Sequence, residues 1–123
     1  MKKIITSIGS IYTHKGYYVY PQGNCYQIVN SKNESVKFRN TLKECVSYIN
    51  NLVNIKKALT SNDNYFTIEA HDEDFMKNTT NMYKGIVYDF DRKYVILRNH
   101  NDFVDINMDD IIRIWDNFNK QLY

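Results

Sequence analysis

The chain has 123 residues, of which 43% are hydrophobic and 24% charged, with a formal net charge of +2. That length fits one domain, or two half-size units sharing a core, and the single Pro and four Gly exclude a low-complexity linker protein. No apolar run approaches the roughly 18 residues that a membrane span requires, and no signal peptide is recognisable. We therefore expect a single cytoplasmic domain over residues 1–123, with no membrane partner.

Charge is divided unevenly between the two halves of the chain. Residues 1–60 hold nine Lys or Arg against two acids, a net charge of +7. Residues 61–123 hold seven Lys or Arg against twelve acids, a net charge of −5. This division predicts a basic half and an acidic half with separate surfaces, unless the halves neutralise one another within the chain or between subunits.

The first half begins with a predicted strand meander over residues 4–38. "YYVY" at 17–20 and "CYQIV" at 25–29 have strand character. Between them, "PQGN" predicts a hairpin turn with Pro21 at its first central position. Further turns are predicted at "HKG" and "NSKNE", and a short strand at "SVKF".

The apolar spacing then changes to intervals of three and four residues, which is typical of a helix. The positions are Leu42, Cys45, Val46, Ile49, Leu52 and Val53. Thr41 and Glu44 have the spacing of a capping box. Together these features predict a helix over residues 41–59.

The second half repeats this plan without a residue-level repeat. Strands are predicted at "YFTIEA", "KGIVYDF", "RKYVILRN" and "DFVDI", and a weak helix within "HDEDFMKNTTNMY". A closing helix over 108–122 is predicted from the cap pair Asn107 and Asp110 and an apolar stripe of Ile111, Trp115, Phe118 and Leu122. The predicted fold is α+β, with two successive strand-meander-then-helix halves whose antiparallel sheets are packed by helices 41–59 and 108–122.

The stretch "YDFDRKYVIL" at 88–97 carries two acids, Asp89 and Asp91, with a period that places both on one strand face. A metal site would need more ligands, for which His71, Asp72 and Asp74 are the candidates. A hairpin turn explains the same residues more simply, because Asp favours turns through bonds to its own backbone. We predict the hairpin.

No catalytic motif is recognisable in the sequence. The three His are dispersed, no glycine-rich phosphate loop or G-x-S-x-G is present, and Cys25 and Cys45 form no C-x-x-C pair. We predict two buried free thiols in a reducing compartment. The sequence favours a binding protein over an enzyme, with no catalytic residue, cofactor or metal.

Two surfaces are candidates for binding. A basic aromatic face would stack bases and hold phosphates, unless the alternating Tyr residues line the core. Its members are Tyr18, Tyr20, Tyr26, Lys32, Lys37 and Arg39. An acidic face would compete for a basic groove that holds nucleic acid, unless it is a solvated helix start. Its members are Asp102, Asp105, Asp109, Asp110 and Asp116.

The segment "GNCYQIVNSKNESVKFRNTLKECVSYINNL" resembles the front halves of small accessory proteins of low-GC phages and plasmids. Those proteins have a Gly-Asn hairpin, a polar turn, and "TLKE" opening a helix that ends near "YIN". Small chains of this kind resemble anti-defence proteins, including anti-CRISPR inhibitors. The resemblance implies a viral or plasmid protein in the cytoplasm of a bacterial host, with a host defence complex as its partner, and it transfers no functional residue.

The leading functional hypothesis is inhibition of a bacterial defence nuclease complex by occluding a basic nucleic-acid-binding surface. One alternative is an anti-defence sponge that sequesters a nucleotide signal in a pocket between the subunits of a homodimer. Another is a small regulator that binds nucleic acid through its basic Tyr-rich sheet. Strong salt dependence of DNA or RNA binding would favour the regulator.

Overall fold

A computed structural model of the chain describes residues 1–7, 9–60, 65–72 and 79–123. These residues form two five-stranded antiparallel sheets and one α-helix, so the predicted α+β class is confirmed. The chain divides into two compact units, Met1–Val53 and Asn54–Tyr123, each with its own sheet.

The sheet of the first unit is a meander in which each strand pairs with the next. Its strands are β1 (Lys2–Thr6), β2 (Gly9–His14), β3 (Tyr17–Gln22), β4 (Cys25–Val29) and β5 (Ser35–Arg39). The turn between β2 and β3 has positive φ at both Lys15 (47°) and Gly16 (86°), as a type I′ hairpin requires. The predicted meander is confirmed.

The position of Pro21 differs from the prediction. The hairpin turn consists of Gly23 and Asn24, with Gly23 at a φ of 64°, while Pro21 lies inside β3 opposite Tyr26. Pairing between β3 and β2 ends at Val19. No residue of β2 is therefore paired with Pro21, and the N–H group that Pro lacks is not needed for a hydrogen bond to β2.

The helix α1 spans Leu42–Leu59, which confirms the prediction for 41–59. The Glu44 backbone N–H donates to Thr41 Oγ1 at 3.1 Å, as the capping signature requires. Cys45 and Ile49 on the predicted stripe are fully buried. The helix therefore begins where the cap predicts, and its apolar side is packed.

Within the first unit, α1 covers the sheet face that carries Val19. The Arg39 guanidinium lies 4.9 Å from the centre of the Tyr48 ring, and His14 Nε2 lies 2.8 Å from Asn50 Oδ1. By strand register, His14, Val19 and Arg39 share this face. Tyr18 and Tyr20 consequently point to the opposite face.

The sheet of the second unit has the order β10-β6-β7-β8-β9. Its strands are β6 (Tyr65–His71), β7 (Thr80–Asp91), β8 (Tyr94–Asn99), β9 (Asp102–Asn107) and β10 (Ile111–Trp115). The strands predicted from residue 65 to residue 106 are all present. Because β10 pairs with β6, the consecutive strands β9 and β10 lie at opposite edges of the sheet.

This second sheet is strongly curled. Its edge strands β9 and β10 are separated along the chain only by the 3-10 turn Met108–Asp110. The four Cα steps from Asn107 to Ile111 span at most about 14 Å. The edges of a flat five-stranded sheet would lie about 19 Å apart. The connection is too short for a flat sheet, so the edges must approach one another.

Two features of β7 permit the curl. A bulge shifts the register between Val87 and Asp89, and bulges increase local bending. At Gly85, a Cβ atom would lie 2.6 Å from the backbone oxygen of Arg98 on β8. Gly85 therefore allows a backbone approach that no other residue allows without a shift.

The concave face of this sheet is apolar. It is formed by Phe66, Ile68, Ala70, Val95, Leu97, Ile106, Ile111 and Ile114, all of which are buried. Ile55, Ala58 and Leu59 at the end of α1 are buried as well. The Lys56 ammonium lies 5.8 Å from the centre of the Phe90 ring, which places the helix end beside β7.

The predicted helix over 108–122 is wrong. Asn107 does act as an N-cap, and its Oδ1 accepts from the Asp109 N–H at 3.0 Å, but the turn ends after Asp110. A bulge in β10 then places Ile111 opposite Ala70 and Ile114 opposite Ile68. Trp115, which was expected on the same stripe as Ile111, lies opposite Thr67 and therefore on the other face of the sheet.

The residues after β10 turn back and pair with β10, and they do not continue as a helix. Asn119 has a φ of 61°, and the Leu122 N–H donates to the Ile114 carbonyl at 2.7 Å. Phe118, which was expected on the apolar stripe, is 83% exposed.

The weak helix predicted within 71–83 is also wrong where the structure describes it. His71 ends β6, and Thr80 begins β7, whose first residues include 81–83. The Asp72 N–H donates to the Thr79 carbonyl at 2.9 Å. Residues 73–78 of this prediction lie outside the described residues.

Replacing Ile49 by Ala should lower the free energy of unfolding by about 2–5 kcal/mol, because this side chain, on the packed side of α1, is completely buried. Urea denaturation measures this loss. Ser47→Ala, at an exposed position of the same helix, is the control. A loss below about 0.5 kcal/mol for Ile49→Ala would contradict the packing of the stripe.

Gly85→Ala should destabilise the chain by about 1–3 kcal/mol, because the new methyl group meets the Arg98 backbone and not a movable side chain. Thermal and urea unfolding report the change. Lys84→Ala, at the exposed neighbouring position, should alter stability far less. Equal stability of both variants would mean that β7 and β8 are not in close approach at Gly85.

Candidate functional site

The paired acids Asp89 and Asp91 belong to a hairpin, as predicted. β7 ends at Asp91, Arg92 and Lys93 turn the chain, and β8 begins at Tyr94. Arg92 has a φ of 51°, and Asp89 Oδ1 accepts from the Phe90 N–H at 2.8 Å. Asp89 therefore holds the local backbone, and Asp91 is the last residue of β7 before the turn.

No group of three or more His, Cys, Asp or Glu could hold a metal ion among the residues that the structure describes. Of the candidate ligands, His71 and Asp72 follow one another at the end of β6. Asp74 lies outside the described residues.

The acidic candidates Asp105 and Asp110 line one cleft of about 200 Å³ in the second unit. Its described lining is Ala70, His71, Asp72, Tyr83, Asp105, Ile106, Asn107 and Asp110. The curl of the sheet brings β9 and the 3-10 turn beside the end of β6. The structure thus adds Asp72 to the acidic face, and no Lys or Arg is found among these lining residues.

The other acidic candidates lie elsewhere or have local partners. Asp102 stands at the opposite end of β9, beside the turn that precedes it. Asp109 Oδ2 lies 3.8 Å from Lys93 Nζ. Asp116 Oδ1 accepts from the N–H groups of Phe118 and Lys120, both at 2.8 Å, and so holds its own turn. Of the five residues of the predicted acidic face, only Asp105 and Asp110 are among the described residues that line the cleft.

The cleft has the chemistry to receive a cationic side chain. Asp105 and Asp110 offer carboxylate oxygens, which accept short charge-assisted hydrogen bonds from guanidinium and ammonium groups. Asp72 adds a third carboxylate, whose Oδ2 accepts from Thr79 Oγ1 at 3.4 Å. Tyr83 and Ile106 supply apolar surface against which the methylene stem of Lys or Arg can pack.

The basic aromatic candidates do not form one surface. Tyr18 and Tyr20 lie on the face away from α1, with their ring centres 6.5 Å apart. Tyr26, Lys37 and Arg39 have the register of the helix-covered face. The Lys37 ammonium lies 6.0 Å from the centre of the Tyr48 ring, on α1.

Lys32, the remaining member, lies in the turn after β4. Its backbone N–H donates to Asn30 Oδ1 at 3.0 Å. The six residues are thus divided between two faces and a turn, because neighbouring residues in a strand point in opposite directions.

A second groove was not predicted from the sequence. It has a volume of about 330 Å³ and is lined by Tyr65, Ile86, Arg98, Asn99 and His100. By register, Tyr65, Ile86, Arg98 and Phe103 form a single row across four strands on the convex face of the second sheet. The alternation of side chains along each strand shows which residues share a face, but only the pairing between strands shows that these four residues lie in one row.

An exposed aromatic pair adjoins this row. The rings of Tyr88 and Phe103 meet edge to face, with centres 5.0 Å apart and planes at 77°. Tyr88 is 62% exposed and Phe103 is 53% exposed. Such aromatic area on a sheet face is available for stacking or for contact with another molecule.

Both cysteines are free, as predicted, and Cys45 is buried whereas Cys25 is half-buried. Burial raises the pKa of the Cys45 thiol; the Arg39 charge opposes this effect, and Glu44 reinforces it. A raised pKa disfavours the thiolate, which is the nucleophilic form. The environment of Cys45 therefore gives it no catalytic activation.

No helix among the described residues combines the length and the apolar character needed to cross a membrane. Comparisons of the chain with protein-family models, with curated proteins and with solved structures find no match. The cleft and the groove are consequently the features from which a function must be inferred.

Replacing Asp89 and Asp91 together by Asn should change the free energy of unfolding by less than about 0.5 kcal/mol, because Asn keeps an acceptor oxygen in the hairpin. Thermal unfolding with and without a chelator measures this. A large loss of stability that the chelator reproduces in the native chain would contradict the hairpin interpretation.

Proposed function

We propose that this chain is a non-enzymatic binding protein of a phage or plasmid that inhibits a bacterial defence nuclease complex, as anti-CRISPR proteins do. Inhibition follows when its acidic cleft occupies basic side chains that otherwise hold nucleic acid. The observation that carries this proposal is the convergence of Asp72, Asp105 and Asp110 on one cleft.

Electrostatics supports the choice of a basic partner. Neighbouring carboxylates repel one another, and an incoming cation both removes that repulsion and forms charge-assisted hydrogen bonds. Complementary charge also speeds the diffusional encounter of two proteins. A basic nucleic-acid groove is rich in Lys and Arg and is therefore a suitable target.

The placement of the carboxylates on two different elements favours Arg over Lys. Carboxylates on both β9 and the adjoining 3-10 turn can meet a planar guanidinium from two directions, whereas an ammonium is a point charge. Because nuclease grooves use the same Arg residues to hold phosphates, one occupied Arg weakens substrate binding directly.

An alternative that uses the Tyr-rich first sheet to bind nucleic acid receives less support. Lys37 and Arg39 lie over the Tyr48 ring on the helix side, away from the exposed Tyr18. Aromatic stacking and phosphate contacts would then occur on different faces, which a single strand cannot reach together.

The test is inhibition of target-DNA cleavage by a panel of purified Cas nuclease–guide RNA complexes. Replacing Asp105 and Asp110 by Asn removes two charges from the cleft and keeps the side-chain volumes. Loss of charge-assisted bonds worth about 1.5–3 kcal/mol each should raise the inhibitory concentration at least tenfold. The association rate should also become less sensitive to salt.

The matched control is Asp102→Asn with Asp109→Asn, which removes the same charge outside the cleft lining. This control should inhibit nearly as well as the native chain. If the control abolishes inhibition while the cleft variant remains fully active, the cleft is not the binding site. Absence of inhibition by the native chain across the panel would exclude these nucleases as targets.

A further inference from the structure

We infer that the convex face of the second sheet binds a nucleotide, with the aromatic row contacting the base and Arg98 holding the phosphate. This site is separate from the acidic cleft and does not depend on the inhibitory function proposed above. The ligand chemistry is a planar base joined to an anion, from a free nucleotide or a single strand.

The first support is the alignment of the row. Tyr65, Ile86, Arg98 and Phe103 belong to β6, β7, β8 and β9, and each lies directly opposite the next. Opposite residues in antiparallel strands lie about 5 Å apart, so the row presents a continuous strip about 15 Å long. An aromatic ring stands at each end, with a cation between them.

The second support is the charge of the groove. Among the described residues that line the groove, Arg98 is the only one with a formal charge, and it is exposed. No carboxylate forms an ion pair with it in the described part of the chain. His100 and Asn99 add donors beside it. The groove therefore favours an anion.

Acidic residues border this row on one side. Asp89, Ile96 and Asp105 form the next row on the same face, two residues away along β8 and β9 and three along the bulged β7. That row lies about 7 Å away. A phosphate is thus directed to Arg98 at the Asn99–His100 end, and the base to the aromatic rings.

The third support is the exposure of the rings beside the groove. Tyr88 and Phe103 are each more than half exposed and already contact one another edge to face. Every nucleobase has a flat face that can stack on such rings without sequence preference. A groove of about 330 Å³ is at the small end of ligand pockets, which suits one nucleotide unit.

A protein partner would use the same rings but has less need of this charge pattern. Protein interfaces place Tyr, Phe and Arg within a broad apolar core with a polar rim. Here the cation lines a groove together with His100 and Asn99. We therefore favour the nucleotide and treat a protein as an outcome of the test.

The test titrates the full chain with two probes at low and moderate salt. The first is an equimolar mixture of the four ribonucleoside monophosphates, followed by each one alone, measured by calorimetry. The second is a fluorescent 12-nucleotide single-stranded DNA, measured by anisotropy. Binding of monophosphates assigns a free nucleotide. Binding of the strand alone, weakening steeply with salt, assigns single-stranded nucleic acid.

For whichever probe the native chain binds, Arg98→Gln should weaken the affinity at least tenfold through loss of the phosphate contact. Phe103→Leu should weaken the affinity about five- to a hundredfold through lost stacking. Lys57→Gln removes an exposed cation from α1 and should have little effect. Circular dichroism and thermal unfolding establish that each variant is folded. Both changed side chains are exposed, so native stability is expected.

Several results would overturn the inference. One is the absence of binding by either probe at low salt with the native chain. Another is binding that Arg98→Gln and Phe103→Leu leave unchanged. A third applies if the native chain binds neither probe and Arg98→Gln or Phe103→Leu abolishes nuclease inhibition. The convex face would then contact a protein and not a nucleotide.

Discussion

The hydrogen bond between the Met108 N–H and the Lys93 carbonyl, at 2.7 Å, anchors the connection on which the second sheet depends. The Met108 side chain is only 2% exposed, and the 3-10 turn that it begins has three residues. This turn joins opposite edges of the sheet and therefore imposes its curl. The hairpin that contains Lys93 thus has a structural role in positioning the turn.

The same constraint produces two surfaces of different chemistry. On the side where β9 turns toward β6, curling brings Asp105 and Asp110 to Asp72 and creates the acidic cleft. On the convex side, the strands align Tyr65 with Arg98 across the sheet. The acidic half of the sequence therefore carries a cationic groove as well as an acidic cleft. Net charge along the chain describes neither surface by itself.

Local patterns in the sequence predicted most of the elements. The Thr41 cap and the three-and-four spacing identified α1, and alternation identified strands such as β6, because both depend on neighbouring residues. The helix expected over 108–122 is wrong because Ile111–Trp115 forms a strand, in which Ile111 and Trp115 lie on opposite faces. Pairing with β6, a contact from more than forty residues away, decided that conformation.

The candidate surfaces were less predictable than the elements. Asp105 and Asp110 were selected for sequence clustering, but clustering also selected Asp102 and Asp116, which lie outside the cleft. The Tyr-rich set failed as one surface because alternation separates Tyr20 from the side that carries Arg39. Each such surface is assembled from residues on different strands, and its composition depends on register.

The central claim is that the cleft binds a cationic side chain through three particular carboxylates. The most direct measurement is a carbon-13 NMR titration of the Asp carboxyl groups with a short Arg-containing peptide. We expect saturable shifts at Asp72, Asp105 and Asp110, with Asp89 and Asp91 as unresponsive internal references. Equal, non-saturating shifts at all of these acids would contradict it, because the peptide would then respond only to general negative charge.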